Sequence, residues 1–267
     1  MLWAMQSPYF DWLVPDWPAP PHIKAVCTTR QGGVSQGIYA GLNLGTHVGD
    51  EPQSVQTNRQ RFQEAMGAHA VFLNQVHGTH VQAVDRHSAD GVEADAAITE
   101  QPGIACTVMV ADCLPVLFCD VHGRRVLAAH AGWRGLLGVD GHGVLERSVA
   151  AMEEGIAAAG LPERKHLLAW LGPCIGPQAF EVGDEAREAF VAHSEIAAVC
   201  FTSFRPGKWL ADLPALARQR LAALGIERAF GNDGSQAWCT VANPSRFFSH
   251  RRDRVSGRMA ACIWRLD

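Results

Sequence analysis

Three side chains in this sequence could gather around one chemical event: His77 in NQVHG, Cys113 in ADCLPVLF and His130 in AHAGWRG. Each stands at the end of an apolar run with glycine or proline close by. Residues at strand ends project from a rigid sheet edge and can converge on one point. A thiol with two imidazoles is the donor set of a catalytic zinc site with an open fourth position. Such a site lowers the pKa of a bound water from about 16 to near 7. The same residues also suit a nucleophile and base pair, with Cys113 attacking and His130 taking the proton. Packing alone would explain each residue singly, because spacing does not bring three dispersed residues together.

The elements that must position these residues follow from patterning. KAVCTTR (24–30) reads as a strand, followed by a Gly-rich loop over 31–49, too long to be a mere connector. Asp50, Pro52 and the run to Gly67 carry the start and stop signals of a helix. Strands are expected over 71–73, across THVQAV, and over 95–99 and 104–110. Residues 114–119, the turn DVHG and residues 125–130 predict a hairpin, with Pro115 as a plausible strand break. Helices are expected over 138–159, 184–193 and 212–224, and strands over 167–171, 226–230 and 258–264. Strands outnumber helices and several join by hairpins, which favours an α+β architecture over a doubly wound parallel sheet.

The bulk numbers narrow the class. The chain has 267 residues, 48% hydrophobic and 19% charged, with a net charge of −4. No Lys/Arg block asks for nucleic acid or an anionic membrane. MLWAMQSPYFDWLVPDWPAP has no basic start and is broken by prolines, so it reads as neither signal peptide nor membrane span. Residues 1–22 are expected to pack as an arm on one domain spanning 1–267. The eight cysteines include no C-x-x-C pair and read as reduced, mostly core residues of a cytoplasmic protein, monomeric or weakly self-associating.

Long motifs carry a resemblance. TTRQGGVS (28–35), LNLGTHVGDEP (42–52), NQVHG (74–78), ADAAIT (94–99), ADCLPVLF (111–118), AHAGWRG (129–135), GPCI (172–175), FEVG (180–183) and FFSHRRD with the later GR (247–258) resemble the YfiH/PgeF, or laccase-domain, family, purine nucleoside phosphorylases related to FAMIN. That resemblance implies a four-layer α/β/β/α sandwich of mixed sheets. It implies Zn2+ held by His77, Cys113 and His130, with these residues catalytic. It further implies phosphorolysis of adenosine, inosine and methylthioadenosine to a base and a ribose 1-phosphate, and deamination of adenosine to inosine. His250 departs from the tyrosine many relatives carry there.

Phosphorolysis needs a grip on phosphate, and arginines with backbone N–H groups supply one. Arg30, beside Gly32-Gly33, and Arg134, beside His130, are the candidate anion contacts; pairing with carboxylates such as Asp112 is the alternative. Trp133 could stack a purine or plug the core. Asp112 is a candidate to orient a metal-bound histidine. Gln75 and Asn43 are candidate substrate contacts.

Three other classes compete. Two histidines and a cysteine also suit copper, but a laccase cluster needs paired histidines, and the twelve here form no H-x-H pair. A Cys/His hydrolase acting in peptidoglycan editing is the second, and a non-enzymatic purine sensor the third.

Overall fold

The computed structural model describes residues 11–158 and 166–267. The proposed arm falls partly outside this range. Within it, Trp12 is buried edge-on against Phe62, with ring centroids 5.6 Å apart, and Leu13 bridges Cys27.

Two mixed sheets lie face to face. One has four strands, in the order β1 (Ile23–Cys27), β13 (Met259–Arg265), β5 (Ile104–Val110) and β2 (His69–Phe72). Its pairs are antiparallel except the last, β5 with β2. The other has six strands, ordered β12 (Ala229–Gly231), β8 (Leu167–Leu171), β6 (Leu114–Asp120), β7 (Val126–Ala131), β4 (Ala96–Thr99) and β3 (Val81–Ala83). Parallel pairs occur only at its two edges.

Strand period explains the layers. Along β5, Ile104, Cys106 and Val108 face the second sheet, packing with Leu117, Cys119, Val126, Ala128, Leu168 and Trp170. Ala105 and Met109, on the opposite face, join Phe62 and Met66 of helix α1 (Pro52–Met66). The outer face of the six-stranded sheet, with Val116, Phe118 and Leu127, is covered by helices α3 (Val144–Ala158), α4 (Asp184–His193) and α5 (Leu213–Ala223). Strands buried on both faces read as continuous apolar runs rather than alternating ones. The result is the expected four-layer α/β/β/α sandwich.

Several boundaries differ from the sequence expectation. The helix expected over 138–159 is found as α3 but starts later, at Val144, and a short helix that patterning does not anticipate, α2 (Trp133–Leu137), precedes it. Gly138 separates them at φ +69°, where an added Cβ would meet the His142 carbonyl at 2.2 Å. Residue 159 lies outside the described residues. Pro115 does not break its strand; it sits within β6 opposite His130. The break falls at Asp112, whose φ is +95°. Patterning also does not anticipate a third sheet, β10 (Phe201–Arg205), β11 (Lys208–Ala211) and β9 (Glu181–Gly183). These strands are short and β10 is mostly exposed, so they carry little apolar signal. A last short helix, α6 (His250–Asp253), precedes β13. No described helix is long and apolar enough to cross a membrane.

Candidate metal centre and its cavity

The β5–β6 link decides the site. β5 belongs to one sheet and β6 to the other, so residues 111–113 cross between layers. Asp112 takes the sharp turn and is held by three contacts. Its carboxylate accepts from Thr240 Oγ1 and from the Arg251 backbone N–H, each at 2.6 Å; its carbonyl accepts from the Ile175 N–H at 2.9 Å. Cys113 is left at the mouth of the gap between the sheets.

His77 enters from the turn after β2, at φ +61°. A non-glycine residue there needs a reason, and Asp95 supplies it. The Asp95 carboxylate accepts from the backbone N–H groups of Val76 (3.2 Å), His77 (3.0 Å) and Gly78 (2.7 Å). His130, at the end of β7, donates from Nδ1 to Asp95 Oδ1 at 2.7 Å. That bond fixes the tautomer and turns the free Nε2 toward the other two donors.

The three donor atoms lie within 4.8 Å of one another, and among the described residues they form the one such group. Their fit to a metal is testable on geometry. Zinc bonds of about 2.0 Å to nitrogen and 2.3 Å to sulfur at a tetrahedral angle separate N and S by about 3.5 Å. Cys113 Sγ and His77 Nε2 are 3.6 Å apart. The donors could therefore hold a metal ion. Gly132 is required beside them, since a Cβ would meet His77 Cδ2 at 2.8 Å and Cys113 Sγ at 3.0 Å.

Charge separates Cys113 from the core cysteines. Burial pushes the Cys27 thiol up to about 12 and the Cys106, Cys119, Cys174 and Cys262 thiols up as well. Burial also acts on Cys113, but His130 and His77 outweigh it and bring the thiol down to about 6. Burial pushes His130 down, yet the Cys113 thiolate and Asp95 raise it to about 9. Asp95 itself lies below its usual range: burial opposes the charge, but His130 and the backbone N–H groups prevail.

The donors line a cavity of about 400 Å³, a size suited to a small-molecule ligand. One wall, from the six-stranded side, carries Trp133, Ile175, Phe180 and Leu213. The opposite wall carries Met109, Gln75, His47 and Arg258, with His250 and Arg251 from α6 at the rim. Arg134 also lines it, its guanidinium 4.4 Å from the Trp133 ring centroid. Asp112 is the one carboxylate in the lining, against three arginines.

The remaining expected site residues fall out differently. Asp112 does not orient a histidine; Asp95 does, because the turn at Asp112 points its carboxylate to Thr240 and Arg251. Arg30 is not in the cavity wall. It donates to the Pro244 and Ala40 carbonyls and lies 4.6 Å from the Phe248 ring centroid. Asn43 is fully buried, bonded to Gly45, Asp50 and the Arg258 N–H, and braces the Gly-rich loop. Gln75 lines the cavity, but its amide is tied at both ends to the Met109 backbone, at 2.7 and 2.8 Å. Sequence reasoning missed Asp95, His47, Arg251 and Arg258 as site residues. All four sit inside quoted motifs, Asp95 in ADAAIT, His47 in LNLGTHVGDEP, Arg251 in FFSHRRD and Arg258 in GR, which was the available signal.

The fold and site together define a four-layer sandwich with a carboxylate-braced, three-donor centre between its sheets. A family model described as multi-copper polyphenol oxidoreductase laccase matches residues 24–266. A purine nucleoside phosphorylase of Pseudomonas aeruginosa is 47% identical over 257 residues, covering 96% of this chain and 99% of that one. The purine nucleoside phosphorylase YfiH of Escherichia coli is 47% identical over 254 residues, covering 94% and 98%. Among solved structures, a Neisseria meningitidis protein superposes with a TM-score of 0.87 at 46% identity, covering 96% of this chain and 99% of that one. The chain belongs to the YfiH, or laccase-domain, family.

Proposed function

We propose that this protein is a zinc-dependent purine nucleoside phosphorylase, acting on adenosine, inosine and methylthioadenosine, and that it also deaminates adenosine. The observation that carries this reading is the pairing of a three-donor centre with a cavity holding an apolar, aromatic wall and three arginines. The relatives' names point the same way.

In phosphorolysis a phosphate oxygen bonds to C1′ as the C1′–N9 bond breaks. The electron pair leaves with the purine, which takes up a proton. Trp133, Phe180, Ile175 and Leu213 offer the base an apolar slot, and Trp133 a stacking face. The arginines hold the phosphate against its own charge and that of the thiolate. Deamination adds water at C6 and expels ammonia. A bound divalent cation would supply a Lewis acid to both reactions. His77, Cys113 and His130 would hold it, and Asp95 keeps two of those three in place.

The laccase description is less well supported. A multicopper cluster needs further donors, and the described residues hold a single three-donor group. A Cys/His hydrolase draws on one specific observation, the Cys113 thiol brought down to about 6 beside imidazoles. Trapping separates the two: a nucleophile would form a covalent adduct with substrate, whereas a ligand loses metal when modified.

The test is metal analysis of the purified protein alongside turnover of adenosine and inosine with and without phosphate. Phosphate-dependent release of base with ribose 1-phosphate is expected. Inosine from adenosine with no phosphate-dependent product would leave only a deaminase; no conversion of either nucleoside would end the reading.

A further inference from the structure

We propose that Arg258, with His47 beside it, forms the oxyanion subsite of the cavity and takes the inorganic phosphate, while the Trp133 wall takes the base. This deepens the phosphorylase reading and rests on it for the identity of the anion's reaction.

Three arginines line the cavity, and their surroundings separate them. Arg134 is exposed and stacked on Trp133. Arg251 is exposed and donates to the Ala179 and Glu181 carbonyls. Arg258 is only partly accessible, and no carboxylate lies within ion-pair distance of it among the described residues. Its Nη1 donates to the Ser256 and Gly257 carbonyls; Nε and Nη2 have no hydrogen-bond partner there. A largely desolvated guanidinium without an ion-pair partner is costly unless a ligand supplies one. It also offers the planar fork that suits a phosphate.

The backbone holds this corner in place. The Arg258 N–H donates to Asn43 Oδ1 at 2.8 Å, and its carbonyl accepts from the Leu44 N–H at 3.0 Å. Gly45 lets the arginine stem lie against the loop, since a Cβ there would meet Arg258 Cγ at 2.8 Å. Two residues on, the same loop delivers His47 to the cavity. Burial lowers the pKa of His47, and Arg258 and Arg59 lower it further, favouring a neutral ring that can donate one N–H beside the cation. Arg258 shares the cavity lining with His77, Cys113 and His130, which places the corner beside the donor centre. The Gly-rich loop thus has a purpose that the position of Arg30, turned toward backbone carbonyls, does not supply.

The experiment titrates inorganic phosphate alone into metal-loaded, full-length protein by calorimetry, for wild type, Arg258→Met, Arg258→Lys and His47→Gln. KM values for phosphate and for inosine are measured in parallel. Losing charge-assisted hydrogen bonds should weaken phosphate binding at least about tenfold in Arg258→Met, with a matching rise in phosphate KM. The inosine KM should move less than about twofold, and Arg258→Lys should restore part of the phosphate affinity. Unchanged phosphate affinity in Arg258→Met overturns the proposal, as does an equal rise of both KM values with lost metal. If Arg258→Met does not fold, the lysine and His47 variants read the same titration, and wild-type affinity in both overturns it. Wild-type protein that binds phosphate but cleaves no nucleoside keeps the subsite and sinks the phosphorylase reading. Wild-type protein that cleaves nucleoside without binding phosphate in the titration does the reverse.

Discussion

Asp95 and His130 are joined twice. The His130 backbone N–H donates to the Asp95 carbonyl at 2.7 Å, and His130 Nδ1 donates to Asp95 Oδ1 at 2.7 Å. The same carboxylate caps the turn carrying His77. One buried acid therefore sets the position of two donors on different elements.

Replacing that acid tests the coupling. In Asp95→Asn an NH2 replaces either Oδ2, which accepts from Val76 and Gly78, or Oδ1, which accepts from His77 and His130, and it cannot accept from the pair it inherits. Metal affinity is expected to fall about 10- to 100-fold, the usual effect of losing such a partner. Competition with a chromogenic chelator reads it, and far-ultraviolet circular dichroism should show the fold retained. Wild-type affinity in the variant would mean that Asp95 braces the turn without serving the donors.

The charge pattern predicts selective alkylation. In metal-stripped protein, the Cys113 thiol at about 6 makes the thiolate dominant at neutral pH. Iodoacetamide labelling is expected to rise as pH passes through about 6 and to reach Cys113 first, because buried Cys27 sits at about 12. Added zinc should block it. Peptide mass spectrometry identifies the labelled site; preferential labelling of another cysteine would refute the pattern.

Stability of the stripped protein should follow the same pair. Cys113 is depressed, so its contribution is full above its unfolded value of about 8.5 and is lost as pH falls through about 6. His130 is raised, so its contribution is full below about 6.5 and is lost as pH rises through about 9. A broad Tm maximum between these limits is expected. Cys113→Ser should flatten it, as read by thermal melts across the range.

Gly132 tests close packing at the centre. In Gly132→Ala the new methyl would press on His77 and Cys113 at 3.0 Å or less. Overpacking of this kind costs about 1–3 kcal/mol, and the donors are the groups that must yield. Metal content and turnover should drop together while the urea midpoint moves modestly. Full metal occupancy with normal turnover would show that the turn can give way.

Much of the frame was legible because it rests on local physics. The α1 boundaries follow Pro52 and Gly67, which begin and end a helix through φ preference alone. The apolar runs of β5, β6 and β7 announce strands covered on both faces. His77, Cys113 and His130 stood out as candidate donors by residue type at strand ends, but it was the family resemblance of NQVHG, ADCLPVLF and AHAGWRG that implied a shared metal. The helix expected from Gly138 starts instead at Val144, because Gly138 takes a positive φ and the chain turns before α3 begins. Arg30 and Asn43 fall outside the cavity lining, and Asp112, which is in it, orients no histidine, for a different reason. A polar side chain takes whichever partner the tertiary fold presents, and here those were backbone carbonyls, loop N–H groups and Thr240.

The sequence by itself determined most strands of the two main sheets, the capped helix α1, the mostly apolar setting of the cysteines and three candidate donors, because these depend on residue type and near neighbours. Only the tertiary structure decided that the β5–β6 link crosses between sheets, that Asp95 reaches both His77 and His130, and that Arg258 faces the cavity beside them. Those relations join residues far apart in the chain, and side-chain direction across a gap between layers is set by packing that no local pattern encodes.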